Sequence, residues 1–116
     1  MANEKQNLIV NKTIEFSLGI IRYCDQLNEE KKFVVANQLL RSATSIGANV
    51  FEAQHAESRA DFIHKMKLAS KEAAESLYWL ILCEKSAGYK FDEKYRSDLE
   101  GIIKILSKII TSAKQV

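Results

Sequence analysis

The sequence predicts an all-α fold, an up-down-up-down four-helix bundle, and three observations carry that prediction. The 116 residues contain no proline and only four glycines, and long runs of Ala, Leu, Ile, Lys and Glu favour helix. Apolar side chains recur at spacings of three and four along most of the chain, the period of a helix with one buried face. Short polar breaks divide the pattern into four segments of about 20 to 30 residues, and short connections place successive helices antiparallel. Residues 1–116 therefore form one domain, large enough to bury a core without metals or disulfides.

The first helix is expected from about Asn7 to Leu27. Val10, Ile14, Ile21 and Cys24 would lie on its core side, with Phe16 and Ile20 widening the stripe. Asn28-Glu29-Glu30-Lys31-Lys32 forms a charged connector. The second helix, about Phe33 to His55, carries Leu39, Ala43, Ile46 and Val50 at spacings of four, three and four. A break follows at Ala56-Glu57-Ser58, where Ser58 and Asp61 have the spacing of a variant capping box. The third helix runs to about Ala87 through Phe62, Met66, Ala69, Ala73, Leu77 and Leu80. Gly88 supplies its stop and Asp92 the N-cap of the fourth helix. That last helix holds a sustained seam of Leu99, Ile102, Ile103, Leu106, Ile109, Ile110 and Ala113.

Beside the apolar stripe of the second helix runs a polar one, Arg41, Ser45, Asn49 and Glu52. The tight connection sets an antiparallel register in which Arg41 faces Glu72 and Glu75 of the third helix, while Asn49 and Glu52 come near Lys65. Opposite charges align at both levels, which predicts an inter-helix polar network. Its role would be to fix register and partner choice, because desolvation offsets much of the Coulomb gain.

The segment around these residues also carries a resemblance. Leu40, Arg41, Ser42, Ala43, Ser45, Ile46, Asn49 and Glu52, followed in the next helix by Phe62, Ala69, Glu72, Glu75 and Leu80, are similar to the pattern of the four-helix-bundle family of 23S rRNA intervening-sequence proteins. Accessory variability proteins of diversity-generating retroelements are related to that family. The resemblance spans about Leu8 to Ile110. Gly47 stands where many members have proline, and Phe51-Glu52-Ala53 where many have Ala-Glu-Gly, which marks a divergent branch. The resemblance implies an up-down bundle assembling as a homopentameric ring, with association to nucleic acid and to a reverse transcriptase.

Several function classes find no support in the residues. Met1 to Gln6 lack the basic and apolar regions of a secretory signal, and no apolar run approaches a membrane span, so a cytoplasmic protein is expected. Cys24 and Cys83 have no CxxC spacing and read as small reduced core residues, not a redox pair. There is no Gly-rich phosphate loop, no GxSxG and no Cys/His zinc spacing. Glu52-Ala53-Gln54-His55 and Asp61-Phe62-Ile63-His64, with Glu15 and Glu100, could be nominated as a di-iron site. Both motifs flank a turn at the bundle end, however, and the two glutamates lie further in. No metal, cofactor or catalytic residue is therefore assigned.

The net charge of +2 is too small by itself to indicate a nucleic-acid binder, but its distribution is uneven. The up-down path gathers residues 1–14, 50–70 and 104–116 at one end, with eight basic and four acidic side chains; the remainder has nine basic and eleven acidic. Helix dipoles account for the lysines of the last helix but not for Lys5, Lys12, Lys65 and Lys67, which lie near helix starts. Lys12, Lys65, Lys67, Lys104 and Lys108 are the candidate phosphate contacts. Phe16, Phe33, Val34, Ile63, Leu68 and Ile105, together with Trp79, add apolar surface beyond one stripe per helix and favour a subunit interface. The sequence is thus read as a non-enzymatic homo-oligomer contacting RNA or DNA weakly and without base selectivity. The competing reading is a scaffold that docks a partner enzyme and never touches nucleic acid.

Overall fold

Helices α1 (Glu4–Glu29), α2 (Phe33–Ala53), α3 (Arg59–Lys85) and α4 (Glu93–Lys114) make up almost the whole of the molecule. The computed structural model describes residues 4–115, with side chains from Asn7 onward, so the initial Met1-Ala2-Asn3 and the side chains of Glu4 and Lys5 lie outside the described residues. The 27 residues of α3 span roughly 40 Å at about 1.5 Å per residue, in keeping with a body 48 Å long and 20 × 19 Å across. α1 packs on α2 and α4, and α3 packs on the same two helices. The diagonal pairs stay apart: no Cα of α1 lies within 8 Å of one of α3, nor of α2 with α4.

Local chemistry ends each helix. Ser58 Oγ accepts from the Asp61 amide at 3.0 Å, and the Asp61 carboxylate accepts from the Glu57 amide at 3.2 Å. The reciprocal pair expected of Ser58 and Asp61 forms with the acid reaching one residue further back. Asp92 caps α4 through the Lys94 amide at 2.9 Å. After α3, Tyr89 donates to the Ser86 carbonyl across a turn whose third residue, Gly88, has φ +84°, a conformation that favours glycine. α2 stops at Ala53, before the expected His55, because Gln54 and His55 donate to carbonyls three residues back and tighten the last turn. α1 ends in a motif that composition hid. Lys31 and Lys32 donate to Asn28 and Leu27, at 3.0 and 2.8 Å, with Lys31 at φ +63°, the arrangement of a Schellman motif without its usual glycine.

Leu39, Ala43, Ile46 and Val50 of α2 are fully buried, as are Met66, Ala69, Ala73 and Leu80 of α3 and Leu99, Ile102 and Leu106 of α4. α1 corrects the expectation made for it. Its core side is Ile9, Thr13, Phe16, Ile20, Tyr23, Cys24 and Leu27, while Ile14 and Ile21 remain 46% and 39% exposed. Thr13 disguised the true stripe, because its hydroxyl donates to the Ile9 carbonyl at 2.9 Å and so enters the core without an unmet hydrogen bond. Tyr23 does the same over a longer range, its phenol donating to the Lys90 carbonyl at 2.7 Å and tying α1 to the α3–α4 connection. Phe16, expected to add outer surface, is 4% exposed.

Small residues let α2 and α3 approach closely. Ser42 and Ser76 are both fully buried, and Ser76 Oγ lies 2.9 Å from Ser42 Oγ. Ser42 also reaches the Leu39 carbonyl at 3.3 Å, so each hydroxyl is satisfied. Cys24 and Cys83 are buried and unpaired. Burial pushes the Cys24 thiol up to about 12 and raises Cys83 as well. The separation of α1 from α3 exceeds the roughly 7 Å Cα limit for a disulfide, so the two thiols cannot bridge without moving the backbone. Among the described residues, no helix is long and apolar enough to cross a membrane.

Candidate nucleic-acid interface

Two ion-pair levels fix α2 against α3. Arg41 reaches Glu72 at 3.3 Å with one guanidinium nitrogen and Glu75 with the other. Three turns further along, Lys65 Nζ meets Glu52 at 3.1 Å. The Trp79 indole also donates to Glu75, at 3.3 Å. Arg41 and Trp79 together hold the Glu75 carboxyl below the ordinary carboxylate range, and Glu75 in turn raises the Arg41 guanidinium. Asn49, expected at the Lys65 level, departs from this pattern: its amide donates to the Ser45 carbonyl of its own helix at 2.9 Å. A side chain so short satisfies itself one turn back more readily than across a helix pair.

The five nominated lysines do not share one surface. Lys65 faces α2 and is bound to Glu52, which removes it from the set of free cations. Lys12 lies on the opposite side, in a groove of about 490 Å³ between α1 and α4. That groove also holds Arg22 and Lys94 against Glu15, Asp92 and Asp98, three charges of each sign, so it offers a polyanion no net attraction. Lys67 of α3 and Lys104 and Lys108 of α4 are exposed.

The same end of α3 and α4 has two further cations that the sequence-based selection left out, Lys71 and Lys114. Arg96 pairs with Glu84 at 2.6 Å and sets the antiparallel register of α3 and α4. Followed toward the basic end, the register brings Lys114 to Lys67 and Lys108 to the level of Lys71. The like charge of the nearby Lys67 ammonium holds Lys114 below the ordinary lysine range. Lys71 and Lys114 are both exposed. The signal that would have found them is the run of residues without acids: there is no Asp or Glu from Phe62 to Lys71, nor from Gly101 to Lys114. Only the pairing of α3 with α4 brings those two stretches to one level of the bundle.

The carboxylates and histidines weighed as metal ligands are dispersed. Glu52 is bound to Lys65, Glu15 lines the α1/α4 groove, Glu100 lies 3.9 Å from Arg96, and His55 and His64 are exposed. Among the described residues, no three His, Cys, Asp or Glu side chains converge on a point that could hold a metal.

Comparison with known proteins bears on the whole chain. The model of the family described as 23S rRNA-intervening sequence protein matches residues 5–112. The sequence has no significant match among curated proteins. Among solved structures, the chain is similar to a protein of unknown function from the S23 ribosomal protein family of Bacteroides thetaiotaomicron, with 45% identity and a TM-score of 0.85 over 92% of this chain and 98% of that one.

Proposed function

Because this chain belongs to the family of 23S rRNA-intervening sequence proteins, we propose that it is a non-enzymatic, cytoplasmic accessory module that assembles as a homopentameric ring and contacts RNA or DNA through the basic part of its bundle. The observation that carries the reading is the pair of acid-free, lysine-bearing stretches, Phe62 to Lys71 and Gly101 to Lys114, that α3 and α4 bring to one end of the bundle. Lys67, Lys104, Lys108 and Lys114 of those stretches are exposed and form no ion pair with another described residue, and phosphates are the groups that such cations meet in a sequence-independent way. Ring assembly would repeat that surface around an axis and convert weak single contacts into avidity.

Assembly itself is supported by where the apolar surface lies. Ile14, Leu18 and Ile21 of α1 and Phe33, Val34 and Phe51 of α2 are exposed large apolar side chains, whereas α4 has none. A monomer with one such side and one polar side has a face to cover and a face to leave in water. The ring would then be built through α1 and α2, with α4 turned outward.

Binding of a labelled structured RNA across a salt series tests the reading. Binding at low salt that falls steeply as salt rises supports it, and no binding at low salt removes it. The alternative is a scaffold for a partner enzyme such as a reverse transcriptase. The feature that favours it is the Tyr78–Trp79 edge-to-face pair, with Tyr78 55% exposed, an aromatic patch of the kind that anchors protein interfaces.

A further inference from the structure

The side of α3 turned away from the core carries a cationic stripe with one aromatic in it. At about 100° per residue, Lys67, Lys71, Tyr78 and Lys85 fall within an arc of about 40°, opposite the buried line of Ala69, Ala73, Ser76 and Leu80. Each of them is exposed. Lys67 and Lys85 stand about 27 Å apart along the axis at about 1.5 Å per residue. Tyr78 lies about two turns from Lys71 and the same distance from Lys85. Glu75, which borders the stripe, is bound by Arg41, and Glu84 by Arg96. Lys67, Lys71 and Lys85 form no ion pair with another described residue, although Lys71 helps to lower Glu75 at longer range.

Tyr78 is also held in place. Its ring stands edge to face with Trp79, centroids 5.1 Å apart. The Trp79 indole donates to Glu75 at 3.3 Å, and Arg41 binds Glu75 from α2. A helical side chain leans over the turn before its own Cα, and on this stripe that turn offers only the exposed methyl group of Ala74. We propose that the outer stripe of α3 is a track for single-stranded nucleic acid, with Tyr78 stacking on an unpaired base and Lys67, Lys71 and Lys85 holding phosphates to either side of it. The inference rests on the nucleic-acid reading above and narrows it. Proteins that hold single strands without base selectivity combine a run of cations with aromatic rings, because every base has a π-face. A ring fixed before binding loses less freedom when a base stacks on it, so Arg41, Glu75 and Trp79 act as positioning residues that never touch the strand. A protein partner fits the stripe less well, since lysine is depleted from interface cores and here lysines stand on both sides of the ring.

The test uses the full chain and probes of one length: single-stranded RNA and DNA of one sequence, the DNA duplex, and a DNA strand with an abasic site at every position. Anisotropy is read across a salt series for the unchanged protein, for Tyr78→Ala, for Tyr78→Phe and for Lys71→Met with Lys85→Met, with circular dichroism to show that all are folded. The base-bearing strands should bind tighter than the duplex and the abasic strand, and the tighter of the two assigns the backbone to RNA or DNA. Tyr78→Ala should weaken them by about 5- to 100-fold and leave the abasic strand unchanged, while Tyr78→Phe, which keeps the ring, should bind as the parent does. The lysine pair should flatten the salt slope by about 1.4, or about 0.7 for each phosphate lost. Equal binding of the abasic and base-bearing strands overturns the stacking, and an unflattened slope in the lysine variant overturns the track. Tighter binding of the duplex overturns the single-strand assignment while leaving nucleic-acid binding intact. An unchanged affinity in Tyr78→Ala also overturns the proposal and leaves the ring to a partner protein. Absence of all binding at low salt would instead sink the function on which the inference rests.

Discussion

The Lys32 amide donates to the Leu27 carbonyl at 2.8 Å, and the bond exists because Lys31, the residue before it, stands at φ +63°. A lysine in the left-handed region costs about 1–2 kcal/mol relative to an ordinary helical residue. Glycine escapes that strain but is freer when unfolded, which takes back about 0.4–1 kcal/mol. Lys31→Gly should therefore stabilise the fold by about 0.5–1 kcal/mol, and Lys31→Val should destabilise it. Urea unfolding midpoints read both. A glycine variant no more stable than the parent would mean that the Lys31 side chain makes a contribution as large as the strain it causes.

The exposed stripe of α1 makes a second prediction, this one about assembly. Leu18 is 50% exposed and Ile21 39%, so replacing both by lysine removes little from the core of the protomer. Stability of the isolated bundle should change by no more than about 0.5 kcal/mol per site. If these side chains lie between subunits, the same pair of substitutions buries two charges in an apolar interface and dissociates the ring. Light scattering after gel filtration distinguishes the outcomes. An undiminished mass for Leu18→Lys with Ile21→Lys would place the interface on another face.

Much of the architecture was legible because apolar period and turn chemistry agreed. Leu39, Ala43, Ile46 and Val50 gave the inner face of α2 directly, and Ser58, Gly88 and Asp92 marked helix ends by the hydrogen bonds or backbone angles they make possible. The cross-helix pairing of Arg41 with Glu72 and Glu75 followed from charge sign and a short connection. The inner face of α1 was obscured for a physical reason. Thr13 and Tyr23 are polar by composition but bury themselves by donating to the carbonyls of Ile9 and Lys90, while Ile14 and Ile21, apolar by composition, face outward. The cationic surface was only partly legible. Its charge is a property of the sequence, but its location depends on which flank of a helix each lysine occupies. Lys65 and Lys67 are two residues apart, yet one joins Glu52 of α2 and the other meets Lys114 of α4.

The strap between α2 and α3 should show itself in acid. Arg41, first of all, and the Trp79 indole hold Glu75 below its ordinary range in the folded state. A carboxyl depressed on folding stabilises the native state fully above its unfolded value and loses that contribution as pH falls through the folded one. Glu75 should therefore still be ionised where ordinary glutamates have taken up a proton, and stability attributable to it should fade as pH falls from the ordinary glutamate range to the lowered folded value. The contribution is modest, because Arg41 is half exposed and water screens the pair. Arg41→Met should return the Glu75 titration, followed by carbon NMR of its carboxyl, toward the ordinary range, and Trp79→Phe should move it part of the way. With the depression gone, stability of the Arg41→Met protein should vary less with pH across the acid limb than that of the parent. Combining Arg41→Met with Glu75→Gln should cost less than the two changes summed. Strict additivity, with an unmoved Glu75 titration, would mean that the two side chains are separately solvated and that the register of α2 on α3 is set by the Ser42–Ser76 seam alone.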